Sequence, residues 1–382
     1  MSKRFDIVGS LLRPQDLLAY KREIEKRDDI TYPFYQDLQG YHECEDQAIT
    51  NVLNEQIQAG LPVISDGEFS KSLWHLDFLW GLQGVERYIA DTGYIFRDHG
   101  HDHGFETRKD IGVEVVSPLS GKNHHQNRVY KQLQEKTQGY PLKQCIPSPA
   151  HLYGEFLWSP YINADKVYKN NEELKTGLLK AYKEFLEEFS QIGGQIIQLD
   201  DCLWAVFATD NEASQFAGKK PEDAQSVAKE FIALNNQVIQ YAKELGLKAW
   251  THNCRGNYRS RSMSDGSYEA IAELFLDGQN YERFYLEWDD ERAGSLEALK
   301  VFQNKDVEVV LGLLSSKTGQ ADQEERVFKL LEQASQIIPK ERLYLSHQCG
   351  FASCDNGNEL TQEQQWEKIK QGQQIAQAFW GE

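Results

Sequence analysis

Short apolar runs alternate with longer amphipathic stretches along this chain. The runs expected to form strands are 6–10, 62–68, 143–148, 196–201, 248–254, 284–289, 309–315 and 343–349. Between most of them lies a segment of helical period. Leu178, Tyr182, Phe185, Phe189 and Ile192 recur at helical spacing, and Gly193-Gly194 follows as a stop. Pro221-Glu222-Asp223 opens a helix that runs to Gly246, with proline in the first turn and acids beside the positive end of the dipole. Thr361 with Gln364 forms a capping box before a last helix that ends near Gly381. Strands alternating with helices demand a parallel sheet. Eight such units predict an α/β fold, a closed (β/α)8 TIM barrel.

The polar positions within the runs sharpen this expectation. Ser10, Asp66, Glu68, Asp200, Asp201, His252, Cys254, Glu287, Asp289, Ser315, Ser316 and Cys349 fall at the C-terminal ends, and apolar residues fill the N-terminal parts. In a TIM barrel those ends form the active-site face. An open doubly wound sheet would gather ligands only at its switch point, so polar ends spread over nearly all strands favour the barrel. One region breaks the rhythm. Residues 81–139 are polar and irregular, with a hairpin-like Val113-Glu114-Val115-Val116 and the stretch Arg97-Asp98-His99-Gly100-His101-Asp102-His103-Gly104. They are expected to form a long excursion, a hairpin or lid, between the second and third barrel strands. With no repeat and no Pro/Gly/Ser-rich linker, residues 1–382 are expected to be one domain.

Composition narrows the partners. A net charge of −18 argues against nucleic acid or an anionic membrane surface. No apolar run approaches membrane length, and the basic start Met1-Ser2-Lys3-Arg4-Phe5 lacks the apolar stretch of a secretory signal. The six cysteines, Cys44, Cys145, Cys202, Cys254, Cys349 and Cys354, are too sparse and irregular for a disulfide framework. A cytoplasmic protein with reduced thiols is expected.

The chemistry starts from Thr251-His252-Asn253-Cys254. Side chains alternate along a strand, so His252 and Cys254 point to the same side. Cys349 ends another strand on the same face, and Glu287 closes the run between them. Cys354 is a poorer candidate, in a Gly/Asn-rich loop beyond. A histidine at a strand end is often only a rim residue. Two thiols, an imidazole and a carboxylate at matching strand ends are a zinc set. Two thiolates and a carboxylate overcompensate the charge of Zn²⁺, which makes a poor activator of water. Such a metal can hold a substrate thiol as a reactive thiolate. Alkyl transfer to sulfur is the chemistry these residues point to.

At these residues the chain resembles the catalytic C-terminal barrel of the cobalamin-independent methionine synthase family. The matching pieces, in the family's order, are Ile7-Val8-Gly9-Ser10, Asp66-Gly67-Glu68, Gln198-Leu199-Asp200-Asp201, His252-Asn253-Cys254, Leu286-Glu287 and Gln348-Cys349-Gly350. Each is weak alone and the combination is specific. The resemblance implies zinc on His252, Cys254, Glu287 and Cys349, and homocysteine held near Gly9-Ser10, by Glu68 and by Asp200. It implies transfer of a methyl group from a methyltetrahydrofolate-type donor to homocysteine. There are departures. Family members carry an additional N-terminal barrel, for which this chain is too short. The family's folate-stacking Trp would fall near Pro147-Ser148-Pro149-Ala150-His151-Leu152-Tyr153, where none stands in register, with Trp158 close behind. The family's catalytic His would fall in Leu313-Leu314-Ser315-Ser316-Lys317-Thr318, where Lys317 is the nearest proton carrier.

Rival readings use the same residues. Asp200-Asp201 could be a general acid–base pair, or could divide, one pointing inward and one capping a turn. The His-rich loop 98–104 could hold a metal or be solvated. An alkyl transferase using another thiol with a corrinoid or small-molecule donor shares the zinc logic. A TIM-barrel zinc hydrolase would favour histidine over thiols, and a structural zinc would favour local Cys pairs. The methyl donor, the acceptor thiol and any homo-oligomer are open.

Overall fold

The computed structural model describes residues 2–30, 32–33, 38–96, 105–208, 221–262 and 266–381. Residues 97–104, which include the His-rich stretch 98–104, lie outside these residues. In chain order the strands are β1 (Gln83–Tyr88), β2 (Ile95–Phe96), β3 (Phe105–Glu106) and β4 (Gly112–Ser120), then β5 (Lys143–Pro147) and β6 (Ile162–Asn163). They continue with β7 (Ile196–Asp200), β8 (Lys248–Asn253), β9 (Arg283–Glu287), β10 (Glu308–Leu314) and β11 (Leu343–His347).

Six of these form one sheet in the order β11-β10-β9-β8-β7-β5. Every neighbouring pair in it is parallel. Strands such as β5, β7 and β9 are buried at every residue, as expected where helices cover a parallel sheet. Helix Asn171–Gln191 shows how. Asn170 caps it by accepting from the Glu173 N–H. Leu174, Leu178, Ala181, Tyr182, Phe185, Leu186 and Phe189 are its buried face. Gly193, at φ 86°, then turns the chain toward β7. The last helix, Gln362–Trp380, has both halves of the Thr361/Gln364 capping box and stops at Gly381.

The runs 6–10 and 62–68 differ from the expectation of full strands. The first meets the sheet at its start, where Phe5 bridges Leu345 of β11 and the Asp6 N–H donates to the Leu345 carbonyl, and the second through a parallel bridge from Ile64 to Leu142 before β5. Pro62 has no N–H to give, and the second run leaves the extended conformation at Gly67 and Glu68, which have φ of 64° and 61°. The two runs bond each other where the Leu11 N–H donates to the Gly67 carbonyl at 3.0 Å. Val8 and Val63 pack in one cluster with Ile196, Trp250, Tyr285 and Val310, so the curled sheet and both flanking runs share an interior.

Region 81–139 holds more regular structure than its polarity suggests. β1 pairs antiparallel with β4, and β4 pairs parallel with β6. A helix, His125–Thr137, follows, with only Val129, Tyr130 and Leu133 as its large buried apolar residues. That face is too narrow to stand out in a polar stretch. Arg108 ties this region down, since its buried guanidinium bonds Asp110 and, across the chain, Asp355 beyond Cys349. Among the described residues no helix is long and apolar enough to cross a membrane.

Candidate metal centre and substrate cavity

Parallel strands bring their C-terminal ends to one edge. β8 carries His252, Cys254 follows it, Glu287 ends β9, and Cys349 lies two residues beyond β11. The ligand atoms of these four residues all lie within 4.8 Å of one another. The two sulfurs are 3.7 Å apart. His252 Nε2 is 3.6 Å from Glu287 Oε1. A tetrahedral zinc with bonds of about 2.3 Å to sulfur and about 2.1 Å to nitrogen and oxygen needs about 3.8 Å and about 3.4 Å between those pairs. The sulfur pair and the His252–Glu287 pair therefore match the ion to within a few tenths of an ångström.

Neighbouring groups hold the ligands in place. The Arg255 N–H donates to Glu287 Oε1 at 2.8 Å, and the Glu287 N–H donates to the Tyr268 hydroxyl at 2.8 Å. Glu287 Oε2 is buried without a hydrogen-bond partner among the described residues, a costly state that a cation would relieve. Burial works to lower the His252 pKa, and Cys349, Glu287 and Asp200 outweigh it, raising it to about 9. A hydrogen bond between the two thiols lowers Cys349 and raises Cys254. The site is a well for positive charge, and its soft sulfur donors suit zinc.

A single cavity is lined by His252, Cys254 and Cys349 together with Ser10, Glu68, Asp200, Gly350, Trp74 and Ser353. The three expected substrate residues thus stand beside three of the four expected metal ligands. Glu68 keeps its left-handed backbone because Asp66 Oδ1 accepts from its N–H at 2.9 Å. Its carboxylate is 3.2 Å from the Lys71 ammonium, which is anchored on the Cys145 carbonyl. Burial raises the Asp200 carboxyl to about 7, against the pull of His252. Asp201 turns away and accepts from the Ser148 hydroxyl and the Leu203 N–H. Ser10 Oγ accepts from the Ala352 N–H. Gly350 must stay small, because a Cβ there would come within 2.0 Å of that oxygen. Lys317 is not among the residues lining the cavity; its ammonium is 2.9 Å from Asp289.

Sequence reasoning missed Trp74. It follows run 62–68, and its N–H donates to the Ser353 carbonyl at 3.1 Å. It also missed His75, His151 and Glu155, whose ligand atoms lie within 4.8 Å of one another. The signal for the last two was a histidine and a glutamate four apart at the start of a helix that leaves an active-site strand end.

The comparisons with known proteins follow this geometry. No family model matches the chain. The uncharacterized protein YxjH of Bacillus subtilis (strain 168) is 36% identical over 381 residues, 99% of this chain and 94% of YxjH. The chain belongs to the YxjH family. Among solved structures, the putative vitamin-B12 independent methionine synthase from Listeria monocytogenes is 26% identical. It superposes with a TM-score of 0.69 over 99% of this chain and 98% of its own. A B12-independent methionine synthase from Shewanella sp. W3-18-1, in complex with selenomethionine, is 20% identical. Its TM-score is 0.70 over 100% of this chain and 98% of its own. The family member thus has the TIM-barrel-like fold of methionine synthase-like proteins.

Proposed function

We propose that this protein is a zinc-dependent methyltransferase that transfers a methyl group to the thiol of homocysteine, giving methionine. The observation that carries the reading is the pair of sulfurs 3.7 Å apart, beside His252 and Glu287, on the wall of a cavity that also holds Glu68 and Asp200. Zinc held by His252, Cys254, Glu287 and Cys349 would lower the pKa of a substrate thiol and keep it as a thiolate. The other parts belong to the chain. Glu68 and Asp200 present carboxylates to the substrate ammonium, as charge-assisted hydrogen bonds require. Burial raises the Asp200 carboxyl, and an arriving ammonium favours its ionised form. The Ser10 hydroxyl, which accepts from Ala352, keeps its own proton for the substrate carboxylate. Trp74 closes the wall beside them and excludes water. The likeness to methionine synthase-like structures supports the reaction class.

Runs 6–10 and 62–68 also read as the first two strands of a (β/α)8 barrel in one domain. The parallel bridges at both sheet edges and the Leu11–Gly67 hydrogen bond support this.

Cobalt(II) substitution tests the function. Homocysteine should strengthen a thiolate-to-metal absorption band, and Cys254→Ser should abolish the increase. A methyltetrahydrofolate with one or several glutamates is the first donor to supply, followed by methylated corrinoids and small methylated thiols. A spectrum indifferent to homocysteine would overturn the proposal.

A further inference from the structure

A second cluster of metal-ligating groups lies behind Trp74. Helix Pro149–Trp158 places His151 and Glu155 one turn apart on one face. His75, which precedes helix Leu76–Gly81, brings a second imidazole. The side chains are 12% (His75), 2% (His151) and 10% (Glu155) exposed, so water satisfies little of them. Glu155 Oε1 is 3.9 Å from His75 Nε2 and 3.7 Å from His151 Nε2. Both Nε2 atoms lack a hydrogen-bond partner among the described residues. Donors on a common first-row ion need about 3.4 Å between them, so both Glu155–imidazole pairs would close by a few tenths of an ångström, and all three ligand atoms already lie within 4.8 Å of one another.

The surroundings orient Glu155 and His151 inward. The Tyr94 hydroxyl donates to Glu155 Oε2 at 2.9 Å, which leaves Oε1 turned to the imidazoles. The Cys202 sulfur is 3.6 Å from His151 Nδ1. A proton on Nδ1 pointing at that sulfur leaves the lone pair on Nε2, the arrangement in which outer partners fix the tautomer of a metal-binding histidine. The two imidazoles stand perpendicular, with centroids 5.3 Å apart. Trp74 lies against both, at 4.9 Å from His75 and 4.6 Å from His151, and also lines the cavity beside the sulfur-rich set.

We propose that His75, His151 and Glu155 form a second metal site, which takes a divalent transition ion such as Fe²⁺, Co²⁺ or Zn²⁺. Two imidazoles and one carboxylate satisfy such an ion only in part and leave open positions, unlike the sulfur-rich set across the cavity. The ion sits one aromatic ring away from the substrate.

Cobalt(II) added to the full-length, metal-free protein tests this. Two ions per chain are expected, one with a thiolate charge-transfer band and one without. Cys254→Ser/Cys349→Ser should retain one ion with ligand-field bands alone and quenched tryptophan emission; Trp74→Phe in that background should remove most of the quenching. His151→Gln or Glu155→Gln in the otherwise native chain should lower the content from two ions to one and keep the thiolate band. A folded Cys254→Ser/Cys349→Ser chain that binds no ion, or a His151→Gln chain that still binds two, would overturn the proposal. Loss of the thiolate band in the native chain would instead count against the first site.

Discussion

The two donor clusters each hold a largely buried histidine and treat it in opposite ways. His252 is raised to about 9, whereas burial lowers His75 to about 3. Desolvation presses on both. Around His252 stand Cys349, Glu287 and Asp200, whose negative charge outweighs it; beside His75 stands Glu155, which burial itself raises to about 7. Burial alone strips a histidine of its charge, and only fixed anions restore it. The first cluster is therefore an anionic trap for a cation. The second holds two uncharged imidazoles beside a single carboxyl.

The strongest way to break the comparison is to remove an anion from the first cluster. Cys349→Ala should release the metal and lower methyl transfer by more than the ~100-fold that loss of an outer hydrogen-bond partner costs a metal site. Metal analysis and initial rates check it. Next come the substrate carboxylates. Glu68→Gln or Asp200→Asn removes a charged hydrogen bond worth about 1.5–3 kcal/mol, so the KM for the amino acid should rise ~10–100-fold with metal content unchanged. Tyr268→Phe removes the oxygen that accepts from the Glu287 N–H, and metal affinity should fall ~10-fold in a chelator competition.

A pH effect is smaller and has a defined sign. Burial raises Asp200 and Asp201 from 3.8 to about 7 and about 6. The folded state thus binds protons that the unfolded chain has released. Their stabilisation is full below about pH 4 and is lost as pH rises through about 6 to 7. Buried histidines such as His75 contribute with the opposite sign, so the check is a difference: the stability advantage of the native metal-free protein over metal-free Asp200→Asn should shrink from pH 5 to pH 8. A calorimetric difference that grows with pH over this range would contradict it. Lys317→Met should have the least effect on turnover, because the Lys317 ammonium is engaged with Asp289 outside the cavity lining.

Much of this arrangement was legible in the chain. The period-two spacing of His252 and Cys254 put them on one side of β8, and Asp200, Glu287 and Cys349 were readable at the ends of their runs because parallel strands deliver their C-termini to one edge. The adjacent acids also divide as alternation requires, with Asp200 lining the cavity and Asp201 accepting from Leu203. The helix His125–Thr137 was obscured by its narrow apolar face. Nothing in the pattern of the sequence singled out Trp74, which lines the cavity.

Period and polarity act along the chain, so by itself the sequence determined which residues share a face and which end of each strand is polar. It could not determine how closely loops from different strands approach. That the two sulfurs stand 3.7 Å apart, that Trp74 reaches the cavity, and that His75 meets the helix bearing His151 and Glu155 were decided by tertiary packing. Those contacts join segments distant in sequence, and their distances follow from how the curled sheet and its loops fill space together.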